Sequence, residues 1–153
     1  METSKIPEVR KSAEELFESG LFCAESVVTA IAKAQGLDSE FLPRAATSFC
    51  SGMSRTCGMC GALTGAIMGI SLTFGRSSAK DSAEPSYIAA QQLISAFEKE
   101  FGSRDCYDLL GGCDLSTPEG QTMFKEQKLD KRCLRITGRA AEIAAGVIAE
   151  NNG

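Results

Sequence analysis

Cys57 and Cys60 stand three residues apart in Cys57-Gly-Met-Cys60, at the head of an apolar run that ends at Gly75. At a helix start, this CxxC spacing lets a thiolate and a resolving thiol meet, which is the arrangement disulfide exchange uses. Five further cysteines lie at Cys23, Cys50, Cys106, Cys113 and Cys133, and the chain has no histidine. Zero histidine excludes Cys–His catalysis, c-type haem attachment and every mixed Cys/His zinc site. A metal here would need thiolates, carboxylates or an outside ligand, and no second CxxC completes a local zinc knuckle. The N-terminal stretch METSKIPEVRKSAEELF has no apolar core of signal-peptide type, so a cytoplasmic protein is expected. In a reducing compartment, an odd and abundant cysteine complement argues for redox chemistry or metal binding over a static disulfide framework.

Cys23, Cys60, Cys106 and Cys133 each fall in the first turn of a predicted helix. A helix N-terminus carries partial positive charge and unpaired N–H groups, so it favours a thiolate by about 0.3–2 kcal/mol. One pKa unit is about 1.4 kcal/mol, so the dipole alone would bring a thiol from about 8.5 to near 7. Arg55, Arg104 and Arg132 precede Cys57, Cys106 and Cys133 by one or two residues and could add to the effect. Cys60, with a second thiol three residues earlier and Gly61 leaving room for a partner sulfur, is expected to be the most reactive. Burial acts the other way: free cysteine often packs as a small hydrophobe, and desolvation raises its pKa.

Helical periodicity accounts for every apolar segment, which makes the fold class all-α. Residues 5–19 form a first helix with Val9, Ala13, Leu16 and Phe17 on one face. A second runs from Cys23 to Gln35, with Gly36 at its C′ position. A shorter one covers 39–49, and Cys50 to Thr56 reads as a loop. The central helix spans Cys57 to Gly75, and Gly61, Gly65 and Gly69 line one face of it. Each glycine costs a helix interior about 1 kcal/mol relative to alanine, so three in a stripe imply close approach by another backbone or a bound group. A long helix begins near Pro85 and ends at Gly102, and Cys106 to Leu110 makes a short turn. Ser116 and Glu119 match a capping box with Pro118 in the first turn. The last helix covers Lys131 to Glu150. A single cysteine-rich domain over residues 1–153, a bundle of four to five main helices, is the simplest architecture.

The chain resembles the family of small proteins, credited with redox activity, that is named for its cysteine pattern, C_GCAxxG_C_C. The resemblance rests on the CGAxxG motif, Cys60-Gly61-Ala62-Leu63-Thr64-Gly65, and on the glycine-bearing helix that follows. It extends to Cys23-Ala24-Glu25-Ser26-Val27 upstream, and to Cys106-Tyr-Asp-Leu-Leu-Gly111, DLSTPEG and Cys133 downstream. It covers nearly everything from Cys23 to Ile148. It implies redox activity resting on four recurring cysteines, carried here to Cys23, Cys60, Cys106 and Cys133. Cys57 and Cys50 fall outside that core pattern, and Cys113 follows two glycines with no evident role.

Three functions compete. The first is a thiol-based redox protein, working by disulfide exchange or electron transfer, in which Cys60 attacks and Cys57 or another of the four resolves. The second is a cysteine-ligated metal or iron–sulfur protein: the four cysteines are too widely spaced for a local motif, but helical proteins can assemble ligands from different helices. The third is a helical partner-binding domain with inert cysteines. The electron donor or acceptor is unknown, as is any cofactor. The interspersed charges, net −4, give no reason to expect a nucleic-acid partner, and the 14-residue apolar run is too short to span a membrane. A homo-oligomer stays open.

Overall fold

The computed structural model describes residues 1–152. Among them the fold is all-α with no strand. Eight helices form: α1 Ile6–Glu18, α2 Cys23–Ala34, α3 Phe41–Ala46, α4 Gly61–Phe74, α5 Glu84–Phe101, α6 Cys106–Leu109, α7 Pro118–Glu126 and α8 Asp130–Asn151. The count exceeds the four to five main helices expected, because α3, α6 and α7, read from the sequence as a shorter helix, a short turn and a capped helix start, add to the five longer ones. No helix is long and apolar enough to cross a membrane.

Helices α1, α2, α4, α5 and α8 enclose the main core, built from Val9, Val27, Ile31, Leu63, Ile70, Leu93, Phe97, Ile136 and a run of alanines on α8. The glycine stripe of α4 lies on α2. A Cβ on Gly65 would stand 2.8 Å from the Ala24 Cα, and one on Gly69 would stand 2.9 Å from the Ile31 Cγ2. A Cβ on Gly61 would run into the Cys23 sulfur. Gly61 meets Cys23 and Gly69 meets Ile31, so the register advances together and the two helices run parallel. Helix α8 runs antiparallel to α1, since Arg10 reaches Glu142 at 2.9 Å while Glu14 lies against Gly138. A four-residue turn reverses the chain between α1 and α2, which sets α2 parallel to α8 as well. The N-terminal ends of α2, α4 and α8 therefore share one end of the bundle.

Between Cys50 and Cys57 the backbone departs from the expected loop. Ser51, Gly52, Met53, Ser54 and Arg55 all have left-handed dihedrals, and Cys57 does too, with φ between 57° and 65° across the group. For non-glycine residues this conformation costs about 1–2 kcal/mol each. The turn is held by the Gly52 carbonyl, which accepts from the Thr56 N–H at 3.2 Å and the Gly58 N–H at 2.9 Å, and by the Ser54 hydroxyl on the Ser48 carbonyl at 2.8 Å. Gly52 packs so closely that a Cβ there would meet the Cys106 Cβ at 2.6 Å. The central helix consequently starts at Gly61, not Cys57, with Cys60 as its N-cap. The helix α7 cap is also shifted by one residue: Thr117, not Ser116, accepts from the Gly120 N–H at 3.0 Å.

Two glycine substitutions separate close approach from helix propensity. Gly65→Ala places its methyl against the Ala24 backbone, which cannot rotate aside, and should destabilise the protein by about 1–3 kcal/mol. Gly146→Ala on α8 meets nothing within 4 Å and should stabilise by about 0.5–1 kcal/mol. Chemical denaturation of the two variants checks both signs; a neutral Gly65→Ala would mean that α2 and α4 are not in tight contact.

Candidate functional site: a thiol-lined cavity

The shared end of the bundle holds a cavity of about 400 Å³, and Cys23, Cys60, Cys106 and Cys133 all line it. Each arrives on a different element: Cys23 opens α2, Cys60 caps α4, Cys106 opens α6, and Cys133 lies in the first turns of α8. The remaining walls are mainly apolar, with Leu21, Phe22, Leu109, Leu115, Phe124 and Ile136 prominent. Thr137 also lines the cavity, and its buried hydroxyl has no hydrogen-bond partner.

Short backbone contacts fix these positions. Met59 and Asp105 form an isolated antiparallel bridge, in which the Cys60 N–H donates to the Arg104 carbonyl at 2.8 Å and the Cys106 N–H donates to the Gly58 carbonyl at 3.0 Å. The pair of bonds clamps the segment carrying Cys60 to the one carrying Cys106. Arg132 donates to the Leu109 carbonyl at 3.2 Å and so ties α6 to the start of α8. Arg104 pairs with Glu98. Two of the three arginines adjacent to cysteines in sequence are thus turned to other partners, while Arg55 reaches the cavity wall.

The remaining three cysteines differ in their surroundings. Cys57 does not line the cavity; its thiol donates to Asp114 Oδ1 at 3.2 Å, and that carboxylate holds its pKa above the ordinary value. Cys57 and Cys60 flank an extended segment bridged to Asp105, not the first turn of a helix. Cys113 is buried in a small second core with Leu110 and Leu129 and donates to the Gly120 carbonyl at 3.1 Å. Cys50 is 2% exposed and packs with Ala24, Val28 and Ala46 in a cluster that Cys23 also touches.

The electrostatics select a different thiol from the one expected. Cys60 is buried at 9% exposure, and desolvation followed by the charge on Cys23 pushes its pKa up to about 12. The helix dipole favours its thiolate but does not offset that burial. Cys106 is likewise pushed up to about 12, and Cys133 is raised further, in both cases by burial first and then by Cys23. Cys23 alone moves down, to about 7. The largest cause is a hydrogen bond from the Cys50 thiol; desolvation opposes it, and the backbone N–H groups of Ser51, Ala24 and Cys23 add to it. The left-handed turn thus supplies a donor, at Ser51, to the sulfur at the start of α2. Cys50 is raised in return by the same hydrogen bond, so one proton stays on it while Cys23 carries the charge.

Glu25 holds this pair together. Its buried carboxylate accepts from the Phe22 N–H at 2.7 Å, capping α2, and from the Thr47 hydroxyl at 2.7 Å. Thr47 opens the short 3₁₀ turn that leads into Cys50. Sequence reasoning named Glu25 only as part of the early cysteine motif, although an acid at the third position of a helix is a capping signal. Cys50 and Asp114 had no comparable sequence signal, because their partners are 27 and 57 residues away.

The arrangement defines a class: an all-helical protein with four free thiols around a single cavity. The chain belongs to the C_GCAxxG_C_C family, described as a "putative redox-active protein", which matches residues 21–147. No curated protein and no solved structure was found to match the chain. No three of the His, Cys, Asp and Glu residues stand together as a metal-binding group among the described residues.

The thiolate assignment predicts a titration. Cys23 is protonated and slow below its pKa and ionised above it, so its alkylation rate should rise through a midpoint near pH 7. Replacing Cys50 with alanine removes the largest stabiliser of the thiolate, and the midpoint should move upward. Rates of iodoacetamide labelling against pH, followed at the Cys23 peptide, read both; a midpoint that Cys50→Ala leaves in place would break the link between the two sulfurs.

Proposed function

We propose that this protein is a thiol-based redox protein that works by disulfide exchange, with Cys23 as its attacking thiolate. The observation that carries the reading is the cavity lined by four thiols from four elements, of which Cys23 alone has its pKa lowered. Exchange proceeds through the thiolate, and the best attacking thiol has a pKa near ambient pH. Cys23 meets that condition. Cys60 does not while it is buried and neutral, so the attacking role expected of it passes to Cys23. Cys60, Cys106 and Cys133 are neutral thiols on the same wall, close enough to feel the Cys23 charge. They are able to receive a disulfide once Cys23 has formed one. The cavity volume falls in the range of sites for small molecules, about 300–1,000 Å³, so the disulfide attacked is one that such a space admits.

The test is labelling of the reduced, native protein with limiting iodoacetamide at pH 7, mapped by mass spectrometry, alongside elemental analysis of anaerobically purified protein. Cys23 should be labelled well ahead of the other six, labelling should disappear from that peptide in Cys23→Ser, and Cys60→Ser should leave it in place. If Cys23 reacts only after a chelator has removed a bound metal, metal or iron–sulfur binding becomes the function of the same four cysteines. If all four stay inert in metal-free native protein, they are packing residues and the redox reading is wrong.

A further inference from the structure

The redox reading leaves open which sulfur completes the exchange, and three of the candidates are cavity-lining thiols. Cys106 and Cys133 interact with Cys23 through charge alone, as does Cys60. Cys57 is engaged by Asp114. Cys50 is the thiol that lowers the Cys23 pKa, and it packs in the same small cluster that Cys23 touches. The Cys50 thiol donates to the Ala46 carbonyl over a long 3.6 Å, a weak tie that leaves its sulfur free to move. A Cβ on Gly61 would touch both the Cys23 sulfur and the Cys50 Cα, the latter at 3.0 Å, so the two residues are gathered against the same bare patch of α4. Glu25 and Thr47 keep the chain before Cys50 pinned to the start of α2.

Resting on the redox reading above, we propose that Cys50, a residue outside the recurring cysteine set, is the resolving thiol, and that the redox-active disulfide of this protein is Cys23–Cys50. The two sulfurs differ in access in the required way. Cys23 is half-buried on the cavity wall, whereas Cys50 is sealed behind it, so an incoming disulfide meets Cys23 first. The Cys23 thiolate attacks one sulfur of the substrate RSSR, forming Cys23–S–S–R and expelling RS⁻, which takes a proton from solvent. That step removes the charge that held the proton on Cys50. Cys50 then gives up its proton, attacks the Cys23 sulfur, and expels the second RS⁻, which becomes RSH. The substrate disulfide is reduced by two electrons to two thiols, and the Cys23/Cys50 dithiol is oxidised to one disulfide. An external dithiol reverses the process and returns the pair to its reduced form. The order follows from access: Cys23 lines the cavity and meets the substrate first, and Cys50, buried behind it, acts once Cys23 carries the mixed disulfide.

The experiment is a reaction of the reduced protein with limiting dithiodipyridine, followed by non-reducing peptide mapping. Wild-type protein should release both pyridinethiones from each reagent consumed and yield a peptide pair joined through Cys23 and Cys50. Cys50→Ala, assayed at pH 9 so that Cys23 is ionised without its donor, should release one pyridinethione and keep the other as a stable mixed disulfide on Cys23. The wild-type mapping does not depend on the variant folding. A wild-type disulfide from Cys23 to Cys60, Cys106 or Cys133 would overturn the role of Cys50 and leave the redox reading standing. Reagent that captures no sulfur at Cys23 in either protein would overturn the redox reading itself.

Discussion

The close approach of α2 and α4 is the constraint on which the site depends. Three glycines leave the facing side of α4 bare, so that the Cys23 sulfur, the Ala24 backbone and the Ile31 side chain of α2 lie directly against it. Each of those glycines lowers the intrinsic stability of α4. Buried apolar contacts along its length, Leu63, Ala66 and Ile70 among them, offset that loss. Because the helices run parallel, their N-termini are brought together, and the thiols near those ends meet where three helix dipoles converge. A bulkier residue at any of the three positions would push α2 outward and separate Cys23 from Cys50 and from Cys60.

Charge is rationed at the site. Four sulfurs facing one apolar cavity cannot all ionise, since each added charge is desolvated and repels the others. The structure resolves the competition through hydrogen bonding. Cys23 has a thiol donor and three backbone N–H groups, whereas Cys106 has no hydrogen bond among the causes of its shift and Cys133 has none either. Cys60 is the N-cap of α4 but makes no side-chain capping hydrogen bond, and its burial outweighs the pull of the nearby Ala62 and Leu63 N–H groups. A helix N-terminus is therefore not enough to lower a thiol's pKa, and the depth of burial and the neighbouring Cys50 decide.

The left-handed turn from Ser51 to Arg55 connects these two themes. It spends backbone strain on non-glycine residues, which persists only where the surroundings over-determine it. Here the turn presses Gly52 against Cys106, points the Ser51 N–H at Cys23, and sends the chain on to the bridge between Met59 and Asp105. Cys106 and Cys23 thus share a wall because one short segment contacts both.

The all-helical class, the family and the helix starts at Cys23 and Cys106 were legible in the chain, because apolar periodicity and the CGAxxG motif are local signals. The glycine stripe announced a close neighbour without naming it. Tertiary structure decided the rest. It moved Cys57 out of the helix and gave it to Asp114, since a left-handed run of non-glycine residues has no sequence signature. It also separated Cys23 from Cys60. Both sit at helix N-termini, so the dipole argument treats them alike; what distinguishes them is Cys50, 27 residues from Cys23, and the depth at which Cys60 is packed. A pKa is set by desolvation and by neighbours in space. The sequence alone determined that the thiols would lie at helix ends, and only the folded chain determined which one carries the charge.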